Sequence, residues 1–222
     1  NVLEMAAEAS VAMVVVVSTD KAGLGGVMGA TKLLAERVAI AMAAYLERPT
    51  ILCVRLANVL GSRGSLVPLA IERMKAGRYV PLTDGRMTRF SMTIGEATKF
   101  LLSVANGSAR SGTVVVPRVG ALSIKDLIER TIRRYATACG RSPHNVFVET
   151  VGTRPGERLS ERLIDEDEAL RAVEYCDRLE IRPPWIGRMA GEIPADVCDS
   201  AQFVKMTLSE IDAQLAASGI VA

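Results

Sequence analysis

Four consecutive side chains that can hydrogen-bond or titrate follow a run of four valines. They are Ser18, Thr19, Asp20 and Lys21, directly after Val14 to Val17. A carboxylate beside an ammonium group can exchange protons with a substrate, and neighbouring hydroxyls can hold its oxygen atoms. The same residue types also cap loops and helices, so a purely structural interpretation stays open.

The surrounding pattern places these side chains at the end of a strand. Four successive valines predict a strand buried on both faces, as in a parallel sheet. Ligands of open α/β sheets bind beyond the carboxyl ends of the strands, where Ser18 to Lys21 lie. Glycines follow at positions 23, 25 and 26, and a helix pattern begins near Gly29. Because Met28 and Lys32 are four residues apart, they lie on one helix face.

The rest of the chain alternates strand and helix patterns, which predicts an α/β fold with right-handed crossovers onto a parallel sheet. The predicted helices are 1–9, 29–46, 65–76, 94–105, 123–136, 166–175 and 207–217. The predicted strands are 13–17, 50–56, 113–117 and 145–151, with 80–93 irregular and 178–200 mostly loop. In helix 29–46 one apolar face recurs every four residues, at Leu34, Val38, Met42 and Leu46.

Composition excludes several classes of protein. The 222 residues carry 27 basic and 25 acidic side chains, a net charge of +2 that does not favour nucleic acid as a partner. The four cysteines are widely spaced without a C-x-x-C motif, which predicts a reducing cytoplasm. A single histidine, His144, argues against His-based triads and multi-His metal sites, so no metal is expected. No apolar stretch is long enough to predict a membrane span or signal peptide.

Several segments carry a family resemblance. VVVVSTDKA and VMGATK are followed by NVLGSRGS at 58–65, MTRFSMT at 87–93 and GTRPGERLSE at 152–161. In this order they resemble the extended short-chain dehydrogenase/reductases, and most closely the nucleotide-sugar 4,6-dehydratases of bacterial polysaccharide and capsule biosynthesis. The resemblance runs from Asn1 to about Arg162.

The resemblance implies a Rossmann-like parallel sheet with a smaller C-terminal α/β substrate-binding lobe. The family's N-terminal strands and dinucleotide-binding glycine loop have no counterpart here, so a C-terminal fragment is expected. The expected division is 1–117 for the remainder of the catalytic domain, with 80–93 crossing to the substrate side. The lobe and a C-terminal tail would occupy 118–222.

The resemblance also implies a reaction with NAD or NADP. Hydride leaves C4 of the sugar, a base removes the C5 proton while an acid helps the C6 hydroxyl leave, and hydride returns to C6. By motif position, Lys21 resembles the C5 base, Asp20 the acid at C6 and Thr19 the hydroxyl that holds the 4-oxygen. Lys32 resembles the residue on the nicotinamide ribose, and Ser18 a second cofactor contact.

One position departs from the superfamily signature Tyr-x-x-x-Lys. Met28 stands where the tyrosine would be, and a thioether cannot transfer a proton. Methionine here resembles the large, membrane-anchored branch of the dehydratases. The departure leaves open which group takes the proton of the 4-hydroxyl.

The remaining motifs resemble contacts to a nucleotide diphosphate. Asn58 follows a strand, although Ala57 replaces the usual glycine before it. Arg89 and Arg154 carry planar forks suited to phosphate oxygens. The other two residues of the expected substrate site are Arg63, which an exposed turn explains equally well, and Glu157, placed to accept from ribose hydroxyls. For Asn58 an ordinary turn, and for the arginines simple solvation, stay open.

Other interpretations stay open as well. Gly23 to Gly29 could be a dinucleotide fingerprint with Arg55 on a 2′-phosphate, although its spacing is G-x-G-x-x-x-G. A UDP-sugar 4-epimerase of the same superfamily and a non-catalytic nucleotide-binding protein are the functional alternatives. The expected partner is a nucleotide sugar, with UDP-N-acetylglucosamine favoured by the family alone. The family also suggests a homo-oligomer and a parent protein anchored at the cytoplasmic face of the inner membrane.

Overall fold

A computed structural model describes residues 1–23, 26–187, 193 and 199–220. Its helices are, in chain order, α1 (Val2–Glu8), α2 (Val27–Tyr45), α3 (Leu66–Lys75), α4 (Ile94–Ala105), α5 (Ile124–Tyr135), α6 (Glu166–Ala169) and α7 (Leu208–Ala217). Its strands are β1 (Met13–Thr19), β2 (Thr50–Leu56), β3 (Asn58–Val59), β4 (Val80–Leu82), β5 (Thr88–Met92), β6 (Val114–Pro117), β7 (Ala121–Ser123), β8 (Val148–Thr150), β9 (Ala172–Glu174) and β10 (Arg178–Ile181).

The chain forms two compact units. The first unit comprises Asn1–Ala57, Thr98–Arg118 and Arg162–Cys198, and the second comprises Asn58–Ala97, Val119–Glu161 and Asp199–Ala222. These boundaries differ from the predicted division at residue 118. The chain passes between the units several times, so no single cut separates them.

The first unit is built on a five-stranded sheet in the order β1-β2-β6-β10-β9. β1 runs parallel to β2, which runs parallel to β6, while β10 is antiparallel to both β6 and β9. Most of β2 and all of β6 are buried, as their largely apolar sequences predict, and they contribute to a core of Leu52, Val54, Phe100, Val104 and Val115. The predicted α/β class with a parallel sheet is confirmed.

Two predictions about burial in this unit are wrong. β1 lies at the end of the sheet order and is only half-buried, because it pairs with β2 alone among the described strands. Of the predicted apolar face of α2, Leu34 is 65% exposed and Val38 is exposed too, whereas Glu36 is buried. A buried ion pair of Glu36, described below, orients that face of the helix instead.

Three segments predicted as irregular or helical contain strands. Residues 80–93 hold β4 and β5, the predicted helix 166–175 stops at Ala169 before β9, and the predicted loop 178–200 begins with β10. The sequence pattern did not predict β10, because the strand is short and half of its residues are charged. Arg178 and Glu180 alternate with the buried Leu179 and Ile181. Pro194 and Cys198, in the rest of that predicted loop, lie outside the described residues.

The second unit contains short strands and amphipathic helices. β3 pairs with β5 in parallel, β5 with β7 antiparallel, and β4 with β8 in parallel. Helices α3, α5 and α7 contribute to one core that includes Val67, Ile128 and Leu215. Among the described residues, no helix combines the length and hydrophobicity that crossing a bilayer requires.

Candidate active site

The polar residues after the valine run continue the β1–β2 ladder. Ser18 pairs with Arg55 and Thr19 with Leu56, and the Asp20 amide donates to the Leu56 carbonyl at 3.0 Å. The backbone of Asp20 is thereby held one residue beyond β1. The structure places Ser18 to Lys21 at the carboxyl end of a parallel strand, where the sequence predicted them.

The carboxylate of Asp20 is the centre of this group. Its Oδ1 accepts hydrogen bonds from the Thr19 hydroxyl at 3.0 Å and from the Lys21 ammonium at 2.9 Å. The Asp20 side chain is 1% exposed and that of Lys21 46% exposed. A buried carboxylate shared by a hydroxyl and an ammonium group can take a proton from one side and return it to the other. Three of the predicted catalytic residues, Thr19, Asp20 and Lys21, therefore contact one another.

Helix α2 begins one loop after this group. Met28 lies in its first turn and is 74% exposed. Lys32, one turn later, donates to the carbonyl of Val17 at 3.2 Å, so the helix is tied to the end of β1. A Cβ added at Gly29 would lie 2.5 Å from the Lys21 carbonyl oxygen and 2.9 Å from that of Gly23. Only glycine lets the helix approach the loop this closely.

The hydroxyl of Ser18 is buried and makes no hydrogen bond within the described residues. An unsatisfied buried hydroxyl is costly, and a bound polar ligand is one way to satisfy it. At the carboxyl end of a parallel strand, this atom fits the cofactor contact expected of Ser18.

A buried ion cluster lies beside this group. Arg55, 3% exposed, binds Glu36 of α2 and Glu168 of α6, with contacts of 2.7 to 2.8 Å through its terminal nitrogens. It also donates to the Leu163 carbonyl at 3.1 Å. Every nitrogen of its guanidinium thus bonds within the first unit. These contacts argue against Arg55 as a 2′-phosphate ligand. The glycine fingerprint itself includes Gly25, outside the described residues.

The cluster shifts the pKa values of its members. Burial opposes the charge of Arg55, but the hydrogen bonds that Arg55 donates to Glu168 and Glu36 outweigh it and raise the pKa of Arg55. Burial also opposes the charge of Glu168, yet the hydrogen bonds and charge of Arg55 hold the pKa of Glu168 below 4.5. Burial, and next the charge of Glu36, raise the pKa of Cys53 to about 12. Sequence reasoning missed this cluster, although a charged residue inside the apolar run TILCVRL was a signal.

In the second unit, the predicted substrate residues Asn58 and Arg89 both bond to the carboxylate of Glu161. Asn58 donates to Glu161 at 2.9 Å and to the Phe90 carbonyl at 2.8 Å. Arg89 forms an ion pair with Glu161 at 3.1 Å and donates to the carbonyls of Leu159 and Arg158. Glu161 was not singled out in the sequence, although it ends the motif GTRPGERLSE.

The other predicted substrate residues are exposed. Arg154 and Glu157 form one turn, in which the Arg154 amide donates to the Glu157 carboxylate at 3.1 Å. The Glu157 amide returns a bond to the Arg154 carbonyl at 3.0 Å. Arg63 is also exposed, in the turn before α3. These three residues and the Glu161 cluster belong to the second unit, whereas Ser18 to Lys32 belong to the first.

The family described as Polysaccharide biosynthesis protein matches residues 1–183. The chain belongs to this family. The polysaccharide biosynthesis family is the one that the five sequence segments indicated, and its match covers all of them. The α/β fold is likewise shared with a solved dTDP-glucose 4,6-dehydratase of Bacillus anthracis and a solved UDP-glucuronic acid 4-epimerase of Bacillus cereus.

Two curated relatives show the range of the family. An uncharacterized membrane protein of Methanocaldococcus jannaschii is 40% identical over 186 residues, which cover 82% of this chain and 56% of that protein. The UDP-glucose 4-epimerase of Rickettsia canadensis is 35% identical over 196 residues, 85% of this chain and 53% of that enzyme. The chain spans about half the length of the curated relatives it matches.

Two solved structures are also similar. Pen from Bacillus thuringiensis is 29% identical with a TM-score of 0.86, covering 99% of this chain and 66% of that one. TunA, described as an NAD-dependent NDP-hexosamine 5,6-dehydratase of tunicamycin biosynthesis, is 26% identical with a TM-score of 0.57. That match covers 70% of this chain and 55% of that one.

Proposed function

We propose that this protein is a nucleotide-sugar 4,6-dehydratase of polysaccharide biosynthesis that acts on UDP-N-acetylglucosamine and yields a 4-keto-6-deoxy sugar nucleotide. The proposal concerns the complete protein, because this chain spans only about half the length of the curated relatives it matches. The observation that carries it is the buried Asp20 carboxylate, bonded at once to Thr19 and Lys21. The choice of sugar rests on the family resemblance.

Dehydration requires a base and an acid beyond those of simple oxidation. A bound NAD or NADP would supply the acceptor for the C4 hydride and its donor to C6, and the similar protein TunA is described as NAD-dependent. Lys21, in its neutral amine form, is assigned the removal of the C5 proton, and its half-exposed side chain can reach a ligand. Asp20 is assigned the proton delivered to the departing C6 oxygen. Lys21 and Asp20 are hydrogen-bonded to each other, so the proton removed at C5 and the proton delivered at C6 are handled by adjacent groups.

We also assign to Asp20 the removal of the 4-hydroxyl proton, the role of the tyrosine that Met28 replaces. Met28 is chemically inert, and the Thr19 hydroxyl that is expected to hold the 4-oxygen already donates to Asp20. A proton can therefore pass from the 4-hydroxyl through Thr19 to the carboxylate, with the Thr19 oxygen accepting the substrate proton as it donates its own to Asp20. The proton gained in this step is the one that water loss later requires.

The residues assigned to the cofactor belong to the first unit, and those assigned to the nucleotide belong to the second. Ser18 and Lys32 are assigned to the cofactor, because both lie at the end of β1 and the Ser18 hydroxyl lacks a protein partner among the described residues. The exposed Arg63, Arg154 and Glu157 are assigned to the nucleotide. The contacts of Asn58 and Arg89 support a role in holding Glu161, in place of the direct phosphate contact that the motifs suggested.

A UDP-sugar 4-epimerase is the second candidate, favoured by the 35% identical Rickettsia enzyme. An epimerase needs no C5 base and no acid at C6, so the Asp20–Lys21 pair favours the dehydratase. The mass of the product formed from UDP-N-acetylglucosamine by the complete protein separates the two. Loss of one water supports the proposal, and a product of unchanged mass supports the epimerase.

The name of the Methanocaldococcus relative supports membrane association of the complete protein. Fractionation of cells that express the complete protein tests this part of the proposal. Recovery with the membranes, and release by detergent alone, is the expected result.

A further inference from the structure

Lys32 and Glu36 lie on the same side of α2, one turn apart. Side chains at this spacing are neighbours on a helix, and a lysine and a glutamate there can form an ion pair. Lys32 instead donates to the carbonyl of Val17, at the end of β1. The carboxylate of Glu36 is buried and bonds elsewhere.

Arg55 engages both oxygens of Glu36. Its Nε donates to Oε1 at 3.0 Å and to Oε2 at 3.3 Å, and its Nη2 donates to Oε2 at 2.8 Å. All these groups are buried, so water does not compete for them. A charge-assisted, two-pronged contact of this kind is stronger than a single ion pair on a helix surface.

Glu168 holds Arg55 from the other side. Its two oxygens accept from Nη1 and Nη2 of Arg55, each at 2.7 Å. Its own backbone position is set by a capping box with Asp165 at the start of α6. The guanidinium is thus fixed between two carboxylates, and Glu36 is turned toward β2 rather than toward Lys32.

We infer that Arg55 is a positioning residue that sequesters Glu36, so that the ammonium group of Lys32 stays available at the end of β1, with Glu168 as its anchor. The inference rests on the proposed function for its consequence, the contact of Lys32 with the cofactor. The sequestration itself is a property of the first unit. It is measurable without turnover.

The first measurement is the rate at which an acetylating reagent modifies Lys32 in this chain, followed by mass spectrometry. Only the free amine reacts, so an ion pair with Glu36 slows the reaction. In Arg55→Gln the rate for Lys32 should fall about tenfold, the effect of one charged hydrogen bond. The triple variant Glu36→Gln, Arg55→Gln, Glu168→Gln should restore it, because no carboxylate is left to capture the amine.

A control variant and an alternative substitution of Arg55 accompany this measurement. Arg118→Gln removes an arginine from a partly exposed pair with Glu174 in the same unit and should leave the Lys32 rate unchanged. If Arg55→Gln does not fold, Arg55→Lys keeps a cation between the carboxylates but loses the two-pronged contact, and should slow Lys32 about threefold. The pair Arg55→Lys with Glu36→Gln should then restore the rate.

The second measurement is steady-state kinetics of the complete protein. Arg55→Gln should raise KM for the nicotinamide cofactor about tenfold with a much smaller change in kcat, and the triple variant should reverse this. An unchanged Lys32 acetylation rate in Arg55→Gln and Arg55→Lys overturns the sequestration. Slowed acetylation with an unchanged KM leaves sequestration standing and overturns the proposed cofactor role of Lys32.

Discussion

The close approach at Gly29 makes Gly29→Ala an informative substitution. In an open helix this change stabilises by about 1 kcal/mol, because alanine is the better helix former. Here the added Cβ would lie 2.5 Å from the Lys21 carbonyl oxygen and 2.9 Å from that of Gly23. Restoring an ordinary C···O separation of about 3.3 Å requires a shift of roughly 0.8 Å. Both obstacles are backbone atoms, so the helix or the loop must move.

The shift separates the start of α2 from the backbone of Lys21 and Gly23. It would also break the hydrogen bond from the Gly23 amide to the Gly29 carbonyl, which is 3.3 Å long. Overpacking costs about 1–3 kcal/mol, which exceeds the helix-propensity gain, so we expect a net loss of about 1 kcal/mol. A displacement near 1 Å at reacting groups can cost about 100-fold in rate, so activity should fall far more than stability.

The assay is kcat/KM of the complete protein together with its thermal melting. Gly23→Ala is the matched control, since a Cβ there meets nothing within 4 Å in the same loop. It should keep the activity of the parent sequence within about threefold. Full activity in Gly29→Ala would refute the view that this close approach positions Lys21 and Lys32.

Three further predictions test the buried groups. Because the pKa of Glu168 is lowered in the fold, its charge stabilises the chain above pH 4.5 and that contribution is lost as the pH falls through the lowered value. Glu168→Gln should therefore be less stable by about 1–3 kcal/mol at neutral pH and should lose less stability on acidification, measured by denaturant titration at several pH values. With its pKa raised to about 12, the buried Cys53 thiol should resist iodoacetamide at neutral pH until the chain unfolds, whereas the exposed Cys176 reacts at once. Asp20→Asn in the complete protein should abolish both C4 oxidation and water loss; a normal single-turnover rise of reduced nicotinamide would remove Asp20 as the first base.

Local patterns predicted the elements with strong and uniform signals. β2 and α4 coincide with the predicted 50–56 and 94–105, because an unbroken buried run and a regular helical period leave little choice. The contacts among Thr19, Asp20 and Lys21 also follow from local order, since the three are consecutive at a strand end.

Long-range ion pairs could not be predicted in the same way. Glu168 is 113 residues from Arg55, and Glu161 is 103 residues from Asn58. Nothing in a local window distinguishes such carboxylates from solvated ones. The same ambiguity hid β10, in which the alternating Arg178 and Glu180 bond to each other at 2.7 Å. Charged residues in a short strand therefore concealed β10, whereas separation along the sequence concealed the buried cluster.

The central claim is that Asp20 and Lys21 convert a C4 oxidation into a dehydration. A single turnover of the complete protein carrying Lys21→Met tests it most directly, with reduced nicotinamide followed by absorbance and the sugar nucleotide by mass. We predict that reduced cofactor accumulates at a near-normal rate and that the sugar keeps its water, because only the C5 base is missing. Water loss at the normal rate in this variant would contradict the account.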